Sequence, residues 1–331
     1  MFAEKEIFKK KITNKKEKDQ QEESSGRVVL ILLLASTGLA MIFYLSSLLP
    51  SFWERISAPK VVKIDDLRTE ELSPTIIVPT PTPWQKELQE ELLEFVDQES
   101  GIYGIYLLEI ENQNAIGINH QEIFPGASLM KLPVIATAYK EAEKRQFDLT
   151  AEYQLKEEDK LPGNGSVHLQ PEGTIYTYRA LIKLAVEQSD NTAISVIADN
   201  LGEEKIQALI DFLELSRTDY LAGKTTPEDM GQFLASLHQG KMLTSSHSQE
   251  FIGFLTNTIF NDQIPSVLPE DLVVAHKIGL DENLLHDAAI IFTEKGDFIL
   301  VIMSQGDSQD RAQTVLEEIT KTIWTAIRNS N

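Results

Sequence analysis

Pro125-Gly126-Ala127-Ser128-Leu129-Met130-Lys131-Leu132-Pro133 opens a helical pattern directly after a turn, with a hydroxyl in the first turn and an amine three residues later. Positions i and i+3 of an α-helix share a face, so Lys131 can lie against the oxygen of Ser128. A lysine held neutral there can accept the serine proton. The unpaired N–H groups of a helix N-terminus also offer positive potential to an oxyanion. Nucleophile, base and part of an oxyanion hole are then contained in four residues. Taken alone, such a spacing is more often an N-cap serine followed by a solvated lysine. Pro133 has no explanation at this level, because proline ordinarily disturbs a helix interior.

The elements around this stretch alternate in a definite order. Upstream, Leu88, Leu92, Leu93 and Phe95 have helical spacing, and two strand-like runs follow at Ile102 to Glu109 and Ala115 to Asn119. The link Glu111-Asn112-Gln113-Asn114 between them predicts a hairpin. The helix opened by Ser128 is expected to run to about Arg145. Downstream, helices are predicted at 178–187, 192–201, 203–213, 227–238 and 247–258. Strand character returns at Leu272 to Ile278, Ala288 to Thr293 and Phe298 to Ser304, with a turn at Glu294-Lys295-Gly296-Asp297 and a final amphipathic helix at 312–327. Strands at both ends with helices between them predict an α/β (α+β) fold. One antiparallel sheet is built from both ends of the domain, flanked by helices, with an inserted all-helical lobe.

Before this domain the chain changes character. Residues 1–26 are polar and lysine-rich, whereas Val28 to Leu49 is almost wholly apolar and uncharged. At about 1.5 Å per residue such a run crosses a bilayer core of about 30 Å. Trp53 falls where an interfacial aromatic is expected, and the lysines lie on the other side. Residues 1–26 are therefore expected to be a cytoplasmic tail and 27–53 a single-pass anchor in the cell membrane. The apolar run is longer than a signal-peptide core, and no small-x-small site follows it closely, so the anchor is expected to stay uncleaved. Residues 54–83 contain Pro59, Pro74, Pro79, Pro81 and Pro83 and read as an extended tether. The soluble domain is expected at 84–331, outside the cytoplasm.

Composition narrows the chemistry. A net charge of −21 argues against nucleic acid as a partner, since no basic surface is available to release counterions from phosphates. The absence of cysteine removes disulfides, thiol nucleophiles and thiolate metal sites. His120, His168, His238, His247, His276 and His286 form no H-x-x-H or H-E-x-x-H pattern, and all six read as ordinary surface or core residues. No metal and no cofactor is expected.

Two further motifs bear on Ser128. Ser189-Asp190-Asn191 follows the helix that ends near Gln188, and Lys277-Ile278-Gly279 lies on the first of the late strands. Ser-x-x-Lys, Ser-Asp-Asn and Lys-Thr-Gly, in that order, form the signature set of class A β-lactamases and penicillin-binding proteins, and this chain resembles that family from about Gln85 to Ile327. Gly163-Asn164-Gly165-Ser166 is similar to the loop before the second motif, and Ile264-Pro265 through Val274-Ala275-His276 to the approach to the third. The resemblance implies a serine hydrolase acylated at Ser128 with Lys131 as proton acceptor. Ser189 is implied to relay a proton to the departing nitrogen, and Asn191 to bind the substrate amide and help hold Lys131. Asp190 is expected to fix its loop through backbone hydrogen bonds. Lys277 and Gly279 are implied in substrate binding, Lys277 by attracting a substrate carboxylate. The backbone N–H groups of Ser128 and Leu280 match the family's oxyanion hole. The implied partner is a small-molecule β-lactam or a peptidoglycan stem peptide ending in D-Ala-D-Ala.

The chain departs from the family pattern in three respects. Ile278 stands where the third motif has a hydroxyl, a loss worth about 0.5 to 3 kcal/mol. The segment between Asn191 and Thr225-Thr226-Pro227 is shorter than in class A β-lactamases, where a long loop carries the glutamate that activates the deacylating water. Asp219 is the residue that falls at that position and is the candidate deacylation base. The third departure is the membrane anchor. Two functions are therefore carried forward: an anchored hydrolase of β-lactamase or D,D-peptidase type, and a non-catalytic or very slow wall-peptide-binding module that keeps the fold. A generic esterase is disfavoured by the lack of a G-x-S-x-G elbow.

Overall fold

A computed structural model describes residues 81–330. The predicted tail, anchor and all but the last residues of the tether lie outside the described residues. Among the described residues no helix is long and apolar enough to cross a membrane.

The domain opens with helix α1 (Pro83–Val96), which has proline at its first position and Thr82 as N-cap. The Thr82 N–H donates to Gln85 Oε1 at 2.8 Å, satisfying an amide that the helix itself cannot. Strands β1 (Ile102–Glu109) and β2 (Asn114–Ile118) form the expected hairpin. Near the other end of the domain come β7 (Val273–Asp281), β8 (Leu284–Phe292) and β9 (Phe298–Gln305), then the long closing helix Gln309–Asn329. The five strands make one antiparallel sheet in the order β2-β1-β9-β8-β7. The central register pairs Ile105 with Ile302 and Leu107 with Leu300, joining the two ends of the domain in its core.

Alternation along the strands sorts the core into two layers. Tyr103, Ile105, Leu107, Phe298, Leu300 and Ile302 pack with Leu88 and Leu92 of α1 and with Leu316, Ile319 and Ile323 of the closing helix. Tyr106, Leu108, Ile299, Val301 and Met303 pack instead with the helical lobe. Both faces of the sheet are covered, so its strands read as nearly continuous apolar runs.

The lobe is built around α2 (Lys131–Glu143), in which residues 131 to 139 are all buried. Around it stand α3 (Tyr178–Glu187), α4 (Asn191–Leu201), α5 (Glu203–Phe212), α6 (Pro227–His238) and α7 (Ser245–Thr256), and the closing helix is α8. The α-helix does not begin at Ser128. A 3₁₀ turn spans Ala127–Met130, and α2 starts at Lys131 and ends at Glu143. Pro133 is thereby explained: it is the third residue of α2, inside the first turn, where backbone N–H groups have no intrahelical acceptor.

The late strands are longer than their apolar runs predict. β7 continues to Asp281, and β8 begins at Leu284 rather than Ala288, taking in His286 and Asp287. Two short ladders also went unpredicted: β3 (Phe124–Pro125) with β6 (Lys224–Thr225), and β4 (Glu152–Gln154) with β5 (Ile175–Thr177).

Asp307, just after β9, ties the two ends together. It accepts from Ser100 Oγ at 2.6 Å, the Gly101 N–H at 3.1 Å and the Tyr103 hydroxyl at 2.5 Å. Burial raises its pKa, but these donors and Arg311 outweigh that and hold the carboxyl below the usual range. Its stabilisation is therefore present above the unfolded-state value of about 4 and is lost as acid protonates the folded carboxylate. Asp307→Ala is expected to cost at least about 2 kcal/mol near neutral pH. Urea unfolding followed by circular dichroism checks this, and the deficit should shrink as pH falls below about 4.

Candidate active site

Ser128 projects from the 3₁₀ turn that follows β3. Ala127, immediately before it, has φ +44°, a left-handed conformation that alanine seldom adopts. The turn is fastened on both sides: the Leu129 N–H donates to the Gly126 carbonyl at 3.0 Å, and the Gly126 N–H donates to the Gly223 carbonyl at 2.7 Å. Residues three apart eclipse one another in a 3₁₀ turn. Lys131 Nζ accordingly lies 2.9 Å from Ser128 Oγ. The face-sharing argument from sequence holds, with a tighter helix type than expected.

Lys131 Nζ also reaches the Ser189 carbonyl at 2.9 Å, Ser189 Oγ at 3.2 Å and Asn191 Oδ1 at 2.8 Å. All four partners are neutral oxygens. Burial lowers the pKa of Lys131 to about 8, with the more distant charge of Asp190 pulling the other way. An amine near that value is about one-tenth neutral at pH 7 and about half neutral near pH 8, far more than an exposed lysine.

Ser189, Asp190 and Asn191 occupy the junction between α3 and α4. Ser189 has φ +52° and is fully buried. Asp190 is the N-cap of α4, accepting from the Ala193 N–H at 2.8 Å, while its other oxygen accepts from Ser166 and Val167 N–H at 2.7 and 2.8 Å. This is the expected loop-fixing role. The approach is so close that a Cβ at Gly165, itself at φ +103°, would fall 2.1 Å from Asp190 Oδ2. Asn191 divides its amide, accepting from Lys131 and donating to the Pro162 carbonyl at 3.2 Å.

Lys277 arrives from the sheet. It is buried, and its Nζ donates to Ser189 Oγ at 2.9 Å and to the Ile278 carbonyl at 3.0 Å. Burial, reinforced by the charge of Lys131, holds its pKa well below the usual lysine value, and Asp287 opposes that shift. The hydroxyl of Ser189 therefore bridges two amines, and a continuous path runs from Ser128 Oγ through Lys131 and Ser189 to Lys277. The structure brings Ser128, Lys131, Ser189, Asn191 and Lys277 together as one hydrogen-bonded group. Gly279 passes close to the turn that carries Ser128, where an added Cβ would lie 3.3 Å from the Gly126 carbonyl. Leu280 follows on the same edge strand and is exposed. Ile278 is buried, paired with Asp287 in the ladder, and offers no hydroxyl.

Asp219 does not join this group. It is exposed, its Oδ1 accepts from the Ala222 N–H at 2.9 Å, and its backbone pairs with Lys224. Among the described residues no carboxylate hydrogen-bonds to Ser128 or Lys131. Two histidines that carry no motif in the sequence, His276 and His286, lie beside the site instead. His276 Nδ1 is 2.9 Å from Asp287 Oδ1, both side chains are inaccessible, and Asp287 Oδ2 accepts from the Ile264 N–H at 3.0 Å. His286 Nε2 is 2.8 Å from the Pro125 carbonyl. The available signal is a polar His286-Asp287 pair directly before the apolar run from Ala288. No cluster of three metal-ligating side chains occurs among the described residues.

A family model described as the β-lactamase enzyme family matches residues 86–327. The β-lactamase VEB-1 of Pseudomonas aeruginosa is 22% identical over 251 residues, covering 67% of this chain and 84% of its own. The solved structure of PBP-A superposes with a TM-score of 0.71 at 19% identity, covering 76% of this chain and 99% of that one. A mutant of PBP-A in an acyl-enzyme complex with penicillin G gives 0.70 at 20% identity, covering 74% and 97%. With the family model spanning the sheet, the lobe and all three motifs, the chain belongs to the β-lactamase enzyme family of serine hydrolases.

Proposed function

We propose that this protein is a membrane-anchored serine hydrolase acylated at Ser128 by β-lactams or by D-Ala-D-Ala peptides, and that it cleaves their amide bond outside the cytoplasm. The observation that carries the reading is the 2.9 Å approach of Lys131 Nζ to Ser128 Oγ inside a buried group of neutral oxygens. The PBP-A mutant held as a penicillin G acyl-enzyme supports the choice of ligand. The apolar run at 28–49, with lysines before it and a proline-rich tether after it, supports the location.

In this mechanism neutral Lys131 takes the Ser128 proton as Oγ attacks the carbonyl carbon. The Ser128 and Leu280 N–H groups receive the oxyanion, and the C–N bond breaks as Ser189 passes a proton to the nitrogen. An incoming carboxylate favours the protonated form of Lys277 and so restores the charge that burial opposes. Water must then attack the ester, and here the site is poorly equipped. Asp219 is committed to its own turn, and substrate binding is weakened as well, because Ile278 lacks the hydroxyl that would hold the substrate carboxylate. Those two features favour the second reading, a module that acylates or binds and releases very slowly.

Three outcomes are expected of the full-length chain in detergent. Intact-protein mass spectrometry after benzylpenicillin treatment should show one adduct on the wild type and none on Ser128→Ala; an unmodified wild type at saturating reagent favours the binding module. The acylation rate should rise about tenfold per pH unit below about 8 and level off above it, because protonated Lys131 cannot accept the serine proton. A flat stopped-flow profile between pH 6 and 9 removes Lys131 as the base. Asp219→Ala should leave turnover of a chromogenic cephalosporin within about twofold of wild type, whereas a loss of about tenfold or more would make Asp219 the deacylation base after all.

A further inference from the structure

We propose that His286 is a positioning residue for Ser128, its imidazole fixing the separation between strand β7 and the turn that carries the nucleophile. The inference rests on the reading that Ser128 is the acylated residue. His286 lies on β8, directly paired with Gly279 of β7, and is inaccessible to solvent. The Ser304 N–H donates to Nδ1 at 3.1 Å, so Nδ1 is an acceptor and the ring proton resides on Nε2. That proton points at the Pro125 carbonyl, 2.8 Å away. One neutral tautomer therefore serves both contacts, and burial favours the neutral ring.

The ring is enclosed on two further sides. Phe124 meets it edge-on, with centroids 6.2 Å apart and planes at 74°. A Cβ built on Gly279 would fall 3.0 Å from His286 Cδ2 and 3.3 Å from the Gly126 carbonyl. The imidazole thus separates the strand that carries Gly279 and Leu280 from the segment Pro125-Gly126-Ala127-Ser128. These are the two backbone stretches whose N–H groups are assigned to the oxyanion.

The pin matters because of Ala127. Its φ of +44° is unfavourable for a residue with a Cβ and persists only where neighbouring contacts hold it. On one side Lys131 is held by Ser189 and Asn191, and on the other the Gly126 N–H is held by Gly223 and the Pro125 carbonyl by His286. Without the His286 donor the turn is free to relax towards ordinary dihedrals, carrying Ser128 away from both Lys131 and the oxyanion donors. Displacements of this kind near 1 Å typically cost up to about a hundredfold in rate.

Two substitutions separate the contacts. In His286→Gln the side-chain amide can reach the place of Nε2 and keep the donor to Pro125. In His286→Asn it lies near Nδ1 and can keep only the acceptor for Ser304. Stopped-flow acylation of the full-length chain by benzylpenicillin, with thermal melting in parallel, gives the comparison. The Asn variant is expected to lose about 10- to 100-fold in limiting acylation rate with its pre-acylation Kd unchanged, while the Gln variant stays within about threefold of wild type and melts no higher than the Asn variant. Equal losses in both variants, or a wild-type rate in the Asn variant, overturn the proposal. If the Asn variant does not fold, Gly279→Ala tests the same contact from the other side, and an unchanged limiting rate there overturns it. A wild type that takes no adduct overturns the acylation reading and this inference with it; a wild type that acylates beside an unaffected Asn variant overturns this inference alone.

Discussion

Two amines, Lys131 from the lobe and Lys277 from the sheet, are buried against a single hydroxyl, that of Ser189. Burial disfavours both charges, and the charge of Lys131 further disfavours that of Lys277. The protein meets this strain with neutral oxygens. The nearest carboxylates, Asp190 and Asp287, act from behind, each saturated by other partners: backbone N–H groups for Asp190, and His276 with the Ile264 N–H for Asp287. Had either formed a direct ion pair with Lys131, the lysine would stay protonated and useless as a base. The fold thus keeps anions close enough to permit burial and too engaged to quench the amine.

The short segment after α5 takes on a different role in the same light. In sequence it is noticeable for what it lacks, a long loop with a well-placed glutamate. In the structure its turn at Asp219–Lys224 is closed by backbone pairing, and Gly223 accepts from the Gly126 N–H beside the turn of Ser128. β6 then pairs with β3 one residue further on. The shortened loop buttresses the turn of Ser128, and its carboxylate is used to shape the loop itself.

Much of this was legible in the residues alone. Apolar periodicity located the terminal sheet and the helical lobe, and three short motifs named the five side chains that meet. What escaped was set by contacts distant in sequence. Apolar content alone places the start of β8 at Ala288, because His286 and Asp287 are polar and only the neighbouring strand and Pro125 reveal their partners. Pro133 resisted explanation until the 3₁₀ turn moved the helix start to Lys131. Asp219 was chosen by position along the chain, and the turn that consumes its carboxylate depends on a backbone pairing that no spacing rule reports.

The pairing of β1 with β9 joins residues near 105 to residues near 302. The central strand of the sheet is therefore made after its four neighbours and after the whole helical lobe. Until β9 emerges, the β1–β2 hairpin has an unpaired edge and the lobe has no floor, so little of the domain can mature while synthesis continues. Lys277 and His286 belong to that late portion, whereas Ser128 and Lys131 are made early. Ser128 and Lys131 consequently wait for strands made much later, and a domain lacking β7 to β9 would hold both residues without the Lys277 amine or the His286 contact that complete their surroundings.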